Sequence, residues 1–346
     1  MSERRERTTG HSNALSSGYD AILLDLDGTV YRGGSALPGA SGAVTRLRRE
    51  GTAMVFVTNN ASRSPKQVAE HLTELGVDAA TPEVATSAQA AAIVLADRLA
   101  PSARVLVVGT SALADEVATA GLAPVRRADD DPAAVVQGHS PDTGWRELAE
   151  ACIAIRAGRL WIACNVDQTL PTERGELPGN GAMVAALRAA TSREPVVAGK
   201  PERPLVDASV AKAGARRALM VGDRLDTDVA GAAAAGLDSL LVLSGITDAA
   251  TLLAAPAGHR PTYLAEDIGG LAVDTEEVRI GHRDGWACEV TDGELVLQAR
   301  ADGDPVDALR ALCARWWAHG EGAVRVVGSG GGAERAVRAL GLDAAR

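Results

Sequence analysis

Asp25 and Asp27 stand one residue apart at the end of an apolar run, in "AILLDLDGTV". In an extended strand, residues two apart face the same side, about 6.6 Å from each other. Both carboxylates therefore converge on one spot, and Gly28 lets the backbone turn sharply away. Crowded carboxylates repel, and a divalent cation offsets that repulsion. Three further stretches carry complementary groups. "VTNN" brings Thr58, Asn59 and Asn60, a hydroxyl and two amides. "AGKP" brings Lys200, a compact cation able to hold an anion beside the acids. "GDRLDTD" brings Asp223 and Asp228. Oxygen-only ligation by carboxylates with retained water suits Mg²⁺ better than a softer metal. A cation, a lysine and neutral donors around carboxylates make a site for a dianionic phosphoryl group.

Each of these groups follows an apolar run, and the runs must bring them together. Ala21–Leu24, Met54–Val57, Val105–Val108, Trp161–Ala163, Ala218–Val221 and Leu240–Leu243 are continuous rather than alternating, as in strands buried on both faces of a parallel sheet. Helical patterns fall between them, from Ser64, Pro82, Asn180 and Asp228. Strands alternating with helices of this size predict an α/β fold with a doubly wound, Rossmann-like sheet, whose ligands sit beyond the carboxyl ends of the strands. The 141 residues between Thr58 and Lys200 carry strand and helix signals of their own and predict an inserted α/β domain. The expected layout is a disordered tail over 1–18, a core over 19–83 and 195–274, an insertion over 84–194, and a small α+β unit over 276–346. That last unit reads as a hairpin about Thr291-Asp292-Gly293, a helix over 304–319, a strand "AVRVV", a glycine loop and a final helix.

Acidic residues number 45 against 35 basic ones, a formal charge of −10 with no basic stripe. That balance argues against nucleic acid and against adhesion to an anionic membrane as partners. No window approaches the apolar length of a membrane span, and the first 18 residues contain no apolar segment of the kind that signal peptides carry. The four cysteines lie far apart and read as buried thiols in a reducing, cytoplasmic setting.

"DLDGTV", "TNN", "GKP" and "GDRLDTD", in that order, resemble the four motifs of the haloacid dehalogenase superfamily, over about residues 19–270. The resemblance implies that Asp25 is a nucleophile forming an aspartyl-phosphate. Asp27 would be the general acid and base. Thr58, Asn59, Asn60 and Lys200 would bind the phosphoryl group. Mg²⁺ would be held by Asp25, the Asp27 carbonyl and Asp223, with Asp228 behind them. An acid at position 27 favours ester hydrolysis, because a halide leaving group needs no proton. An insertion placed after the second motif, with "DGTVYRGG" and "LPTERGELPGNG", resembles the type 2 caps of subfamily IIA. The cap loop is expected to face the site, where Asn165, Asp167, Glu173 and Asn180 would suit a small polyol phosphate. The pyridoxal phosphate enzymes of that group carry a histidine where this chain has Leu170. Over its whole length the chain resembles the glycerol 3-phosphate phosphatases of high-GC Gram-positive bacteria. This implies a small-molecule phosphate ester as partner, with homodimerisation left open. The alternatives are a phosphatase of broad specificity and a coenzyme-binding module. The latter rests on "VVGSGGGAERAV", which resembles the strand, glycine loop and helix of an N-acetyltransferase fragment; a docking role is expected there instead.

Overall fold

The continuous apolar runs become strands covered on both faces. Ala21–Asp25 lies inside a six-stranded parallel sheet. Ala53–Thr58 and then Val84–Thr86 flank it on one side, and Ala218–Gly222, Asp238–Val242 and Tyr263–Ala265 on the other. The chain reverses its order between Ala21–Asp25 and Ala218–Gly222, so a crevice opens beyond the carboxyl ends of two adjacent strands. Leu24 pairs with Val221, which sets Asp25 and Asp223 at neighbouring strand ends. The structure is a computed structural model and describes residues 13–172, 174–300 and 303–343.

Folding starts earlier than the expected tail allows. Leu15–Gly18 forms a 3₁₀ turn, Leu15 is fully buried, and its N–H donates to the Val273 carbonyl at 2.8 Å. The part of that tail over 1–12 lies outside the described residues. The helix expected from Pro82 also begins later. Val84–Thr86 pairs in parallel with the 53–58 strand, as its β-branched residues favour. Thr86 then caps the helix Ser87–Ala96, accepting from the Gln89 N–H while the Gln89 side chain accepts from the Thr86 N–H.

The insertion builds a second parallel sheet, ordered Val196–Val197, Leu160–Ala163, Ala134–Gln137, Arg104–Val108 and Ala123–Val125. The expected boundaries at 84 and 194 therefore shift, since Val84–Thr86 belongs to the first sheet and Val196–Val197 to the second. The two sheets share one apolar cluster in which Leu23 and Val55 join Val107 and Ile162.

Trp286–Thr291 and Glu294–Ala299 form the hairpin expected near the C-terminus. Asp292 and Gly293 both take positive φ, the pairing that a two-residue hairpin turn requires. The third strand, Val326–Ser329, starts later than expected and runs parallel to Glu294–Ala299. The helix Pro305–His319 buries Leu309, Leu312 and Trp316 in a cluster that also takes Leu241, Leu252 and Leu264 from the first sheet and its helices. Buried Arg310 donates through Nε and Nη2 to the Leu264 carbonyl at 3.0 and 2.8 Å, on the outermost strand. Among the described residues, no helix is long and apolar enough to cross a membrane.

Candidate active site

Three carboxylates meet at the strand ends. Asp25, Asp223 and Asp228 each offer an oxygen, and the three atoms lie within 4.8 Å of one another. Lys200 holds the group together: Nζ lies 2.5 Å from Asp25 Oδ1 and 2.6 Å from Asp228 Oδ1, with the lysine side chain 2 % exposed. Burial alone would lower the Lys200 ammonium, but Asp228 and Asp25 outweigh it and hold it above its usual range. The other oxygen of Asp228 accepts from the Arg224 N–H at 3.1 Å. Asp228 thus anchors Lys200, and it also stands among the three acids whose oxygens could hold a metal ion.

Asp223 Oδ2 accepts from the Ile246 N–H at 2.8 Å, while Oδ1 is buried with no hydrogen-bond partner among the described residues. An orphaned buried oxygen of this kind is costly, and a cation would complete it. Burial, then Asp228, push the Asp223 carboxyl up to about 6. Burial and Asp228 likewise raise Asp25 well above the usual range, against the opposing pull of Lys200. A divalent cation would add the charge that keeps both ionised. The backbone makes room for this arrangement at Gly28, whose φ is +78°. A Cβ there would stand 2.4 Å from Asp223 Oδ2.

Asp27 does not join the three by its side chain. It stands on the open side of the site and accepts from the Tyr31 hydroxyl at 3.3 Å. Loss of surrounding water raises its carboxyl above the usual range, which suits an acid that must carry a proton. Thr58 is buried, and its Oγ1 accepts from the Asn60 N–H at 3.1 Å, fixing the turn after the strand. Asn60 Oδ1 accepts from the Ser62 N–H and hydroxyl at 2.7 and 2.8 Å.

A family model for haloacid dehalogenase-like hydrolases matches residues 22–123, and a second HAD hydrolase-like model matches 197–271. D-glycerol 3-phosphate phosphatase of Mycobacterium tuberculosis is 52% identical over 294 residues, covering 85% of this chain and 82% of that protein. The chain belongs to the haloacid dehalogenase-like hydrolases. The crystal structure of glycerol phosphate phosphatase from M. tuberculosis in complex with magnesium superposes with a TM-score of 0.91. It is 48% identical and covers 95% of this chain and 99% of that one. The acid sugar phosphatase of Staphylococcus saprophyticus is 33% identical over 261 residues, 75% of this chain and 99% of that protein. A GCN5-related N-acetyltransferase-like model matches residues 283–342.

In this hydrolase the expected polyol-facing asparagines are structural. Asn165 Nδ2 donates to the Asn59 carbonyl at 2.6 Å, and its Oδ1 accepts from the Asp167 N–H at 3.3 Å. Asn180 is buried and donates to the Asn165 carbonyl at 2.7 Å. Glu173 lies outside the described residues. Asn59, expected on the phosphoryl group, has its amide engaged by Lys200 and Asp167. The groups that steady Asp223 went unseen in the sequence: Ile246, and Thr247, whose hydroxyl donates to the Asp223 carbonyl at 2.6 Å. Only "SGIT", after the Leu240 strand, could have hinted at them.

Proposed function

We propose that the chain is a Mg²⁺-dependent phosphate monoester hydrolase that releases glycerol from glycerol 3-phosphate through an aspartyl-phosphate at Asp25. The observation that carries this reading is the extent of the match. The likeness to the M. tuberculosis enzyme runs through core, insertion and C-terminal unit alike, and it accompanies a buried acid cluster with a lysine across it.

The metal would be held by Asp25, Asp223 and the Asp27 carbonyl, and supplies positive charge against the phosphoryl oxygens. Asp25 attacks phosphorus as the ester P–O bond breaks, and the Asp27 carboxyl gives its proton to the leaving alkoxide. Asp27, now ionised, takes a proton from water. That water attacks phosphorus, the bond to Asp25 breaks, and phosphate leaves. Lys200 and Thr58 hold the phosphoryl oxygens, and Asn60 fixes the backbone beside them. Lys200 also opposes the burial that raises the Asp25 carboxyl.

A second reading, a phosphatase of broad specificity, is supported by the acid sugar phosphatase among its relatives. The C-terminal unit is read as structural, because its apolar residues share a cluster with the hydrolase core. A cytoplasmic setting fits four free thiols, of which Cys164 and Cys313 are buried. The test is kcat/KM over a panel of phosphate monoesters. A clear lead for glycerol 3-phosphate is expected, and a flat profile would favour the broader enzyme.

A further inference from the structure

Asn59 sits where four separate segments meet. Its Oδ1 accepts from the Lys200 N–H at 2.8 Å and its Nδ2 donates to the Lys200 carbonyl at 3.0 Å. The same Nδ2 faces both carboxylate oxygens of Asp167, at 3.2 and 3.4 Å. Its main-chain carbonyl accepts from Asn165 Nδ2 at 2.6 Å and from Ser87 Oγ at 2.5 Å. Asn165 and Asp167 belong to the loop leaving the second sheet, and Ser87 opens the helix that leads into the insertion. Gly199 permits the approach, since a Cβ there would lie 2.7 Å from Asn59 Oδ1.

An amide that bonds both the N–H and the C=O of one residue fixes that residue's backbone in two directions. Lys200 is therefore held at its main chain by Asn59 and at its tip by Asp25 and Asp228. The remaining Nδ2 proton reaches the insertion. We infer that Asn59 is a positioning residue that sets the register of the 165–167 loop against Lys200, and thereby governs which leaving group the site accepts, without touching substrate. The inference rests on the phosphatase reading above. Losing the pin leaves the tip of Lys200 in place, so phosphoryl transfer from an activated ester survives while discrimination among alcohols falls.

The test is a double-mutant cycle of Asn59→Asp, which keeps shape, and Asp167→Asn. Asn59→Asp sets two carboxylates against each other. Adding Asp167→Asn restores the bond between positions 59 and 167 with donor and acceptor exchanged, while the bond to the Lys200 carbonyl stays lost in both variants. Hydrogen bonds to charged groups correspond to about 10–100-fold in an equilibrium. The ratio of kcat/KM for glycerol 3-phosphate over p-nitrophenyl phosphate is expected to fall at least ~10-fold in Asn59→Asp, and to recover at least ~5-fold in the double variant. Turnover of p-nitrophenyl phosphate falls less than that of glycerol 3-phosphate in Asn59→Asp, because the tip of Lys200 keeps its bonds to Asp25 and Asp228. Additive effects, or an unchanged ratio in Asn59→Asp, would overturn the inference. Hydrogen exchange at residues 165–167 reads the pin without any turnover. Faster exchange in Asn59→Asp, slowed again in the double variant, supports it even if the wild type hydrolyses neither ester, which would sink the phosphatase reading alone. Exchange that is equal in all four proteins counts against the pin.

Discussion

Replacing Lys200 with Met tests the charge balance at the strand ends. The ammonium lies 2.5 Å from Asp25 and 2.6 Å from Asp228, and the side chain is all but inaccessible. Methionine keeps the stem and removes the charge. The three carboxylates within 4.8 Å then lose the cation that bridges two of them. Breaking a buried pair by removing one partner costs about 3–5 kcal/mol. Asp25 is already raised by burial and Asp228, so it takes up a proton readily and keeps the loss near the lower figure. At roughly 2–4 °C per kcal/mol for a cooperative unit of 150–250 residues, a loss of about 3 kcal/mol lowers Tm by ~6–12 °C. Calorimetry in chelator, then in millimolar Mg²⁺, reads the effect. The deficit narrows with Mg²⁺ because a divalent cation replaces part of the missing charge. Turnover stays down by ~10²-fold or more, because the phosphoryl group has lost its lysine. Equal melting temperatures in chelator would refute the reasoning, since the three acids would then need no internal cation.

Three other perturbations have clear expected outcomes. Gly28→Ala puts a Cβ 2.4 Å from Asp223 Oδ2 at a φ of +78°; the Mg²⁺ concentration for half-maximal activity rises ~10-fold or more, and an unchanged requirement would count against Asp223 as a ligand. Asp25→Asn abolishes turnover and leaves the fold and phosphate binding intact, so substantial residual turnover would exclude the covalent route. Arg48→Met removes a pair with Glu83 at 2.6 Å. Burial would raise the Glu83 carboxyl, but hydrogen bonds from Arg48 and the Ala80 N–H outweigh it and hold it below 4.5. That stabilisation, about 1 kcal/mol, is full above pH ~4.5 and fades as pH falls through the lowered value. The difference between the two proteins in urea melts should therefore be larger at pH 7 than at lower pH, where the lost bond from Arg48 to the Asp78 carbonyl at 2.9 Å still counts.

The strand-end acids were legible because short continuous apolar runs alternating with helical patterns fit doubly covered parallel strands, and such strands carry the residues at their carboxyl ends to one edge. Val84–Thr86 was hidden by its length. Three residues between a proline and an alanine-rich run carry no period of their own. Asn59, Asn165 and Asn180 show a different limit. An amide serves equally to hold a phosphoryl oxygen or to brace a carbonyl; for Asn59 and Asn165 the choice is made by segments more than a hundred residues away, and for Asn180 by Gln137 and Asn165. Leu15 was lost for a simpler reason, since one leucine in a Ser/Gly-rich stretch has no pattern to join until the sheet exists.

The apolar cluster shared with the C-terminal unit has a consequence for how the protein is made. Leu241, Leu252 and Leu264 emerge from the ribosome well before Leu309, Leu312, Trp316 and Val337, which finally cover them. Roughly seventy residues separate Leu264 from Val337, and at ~5–20 residues per second synthesis takes about 4–15 s to span them. Through that interval the apolar face and the outermost strand lack the side chains that cover them in the finished chain. A nascent chain stalled or clipped there would hold every motif of the hydrolase and still be a client for chaperones. Synthesis of the last segment is thus the step that closes the apolar face of the hydrolase core.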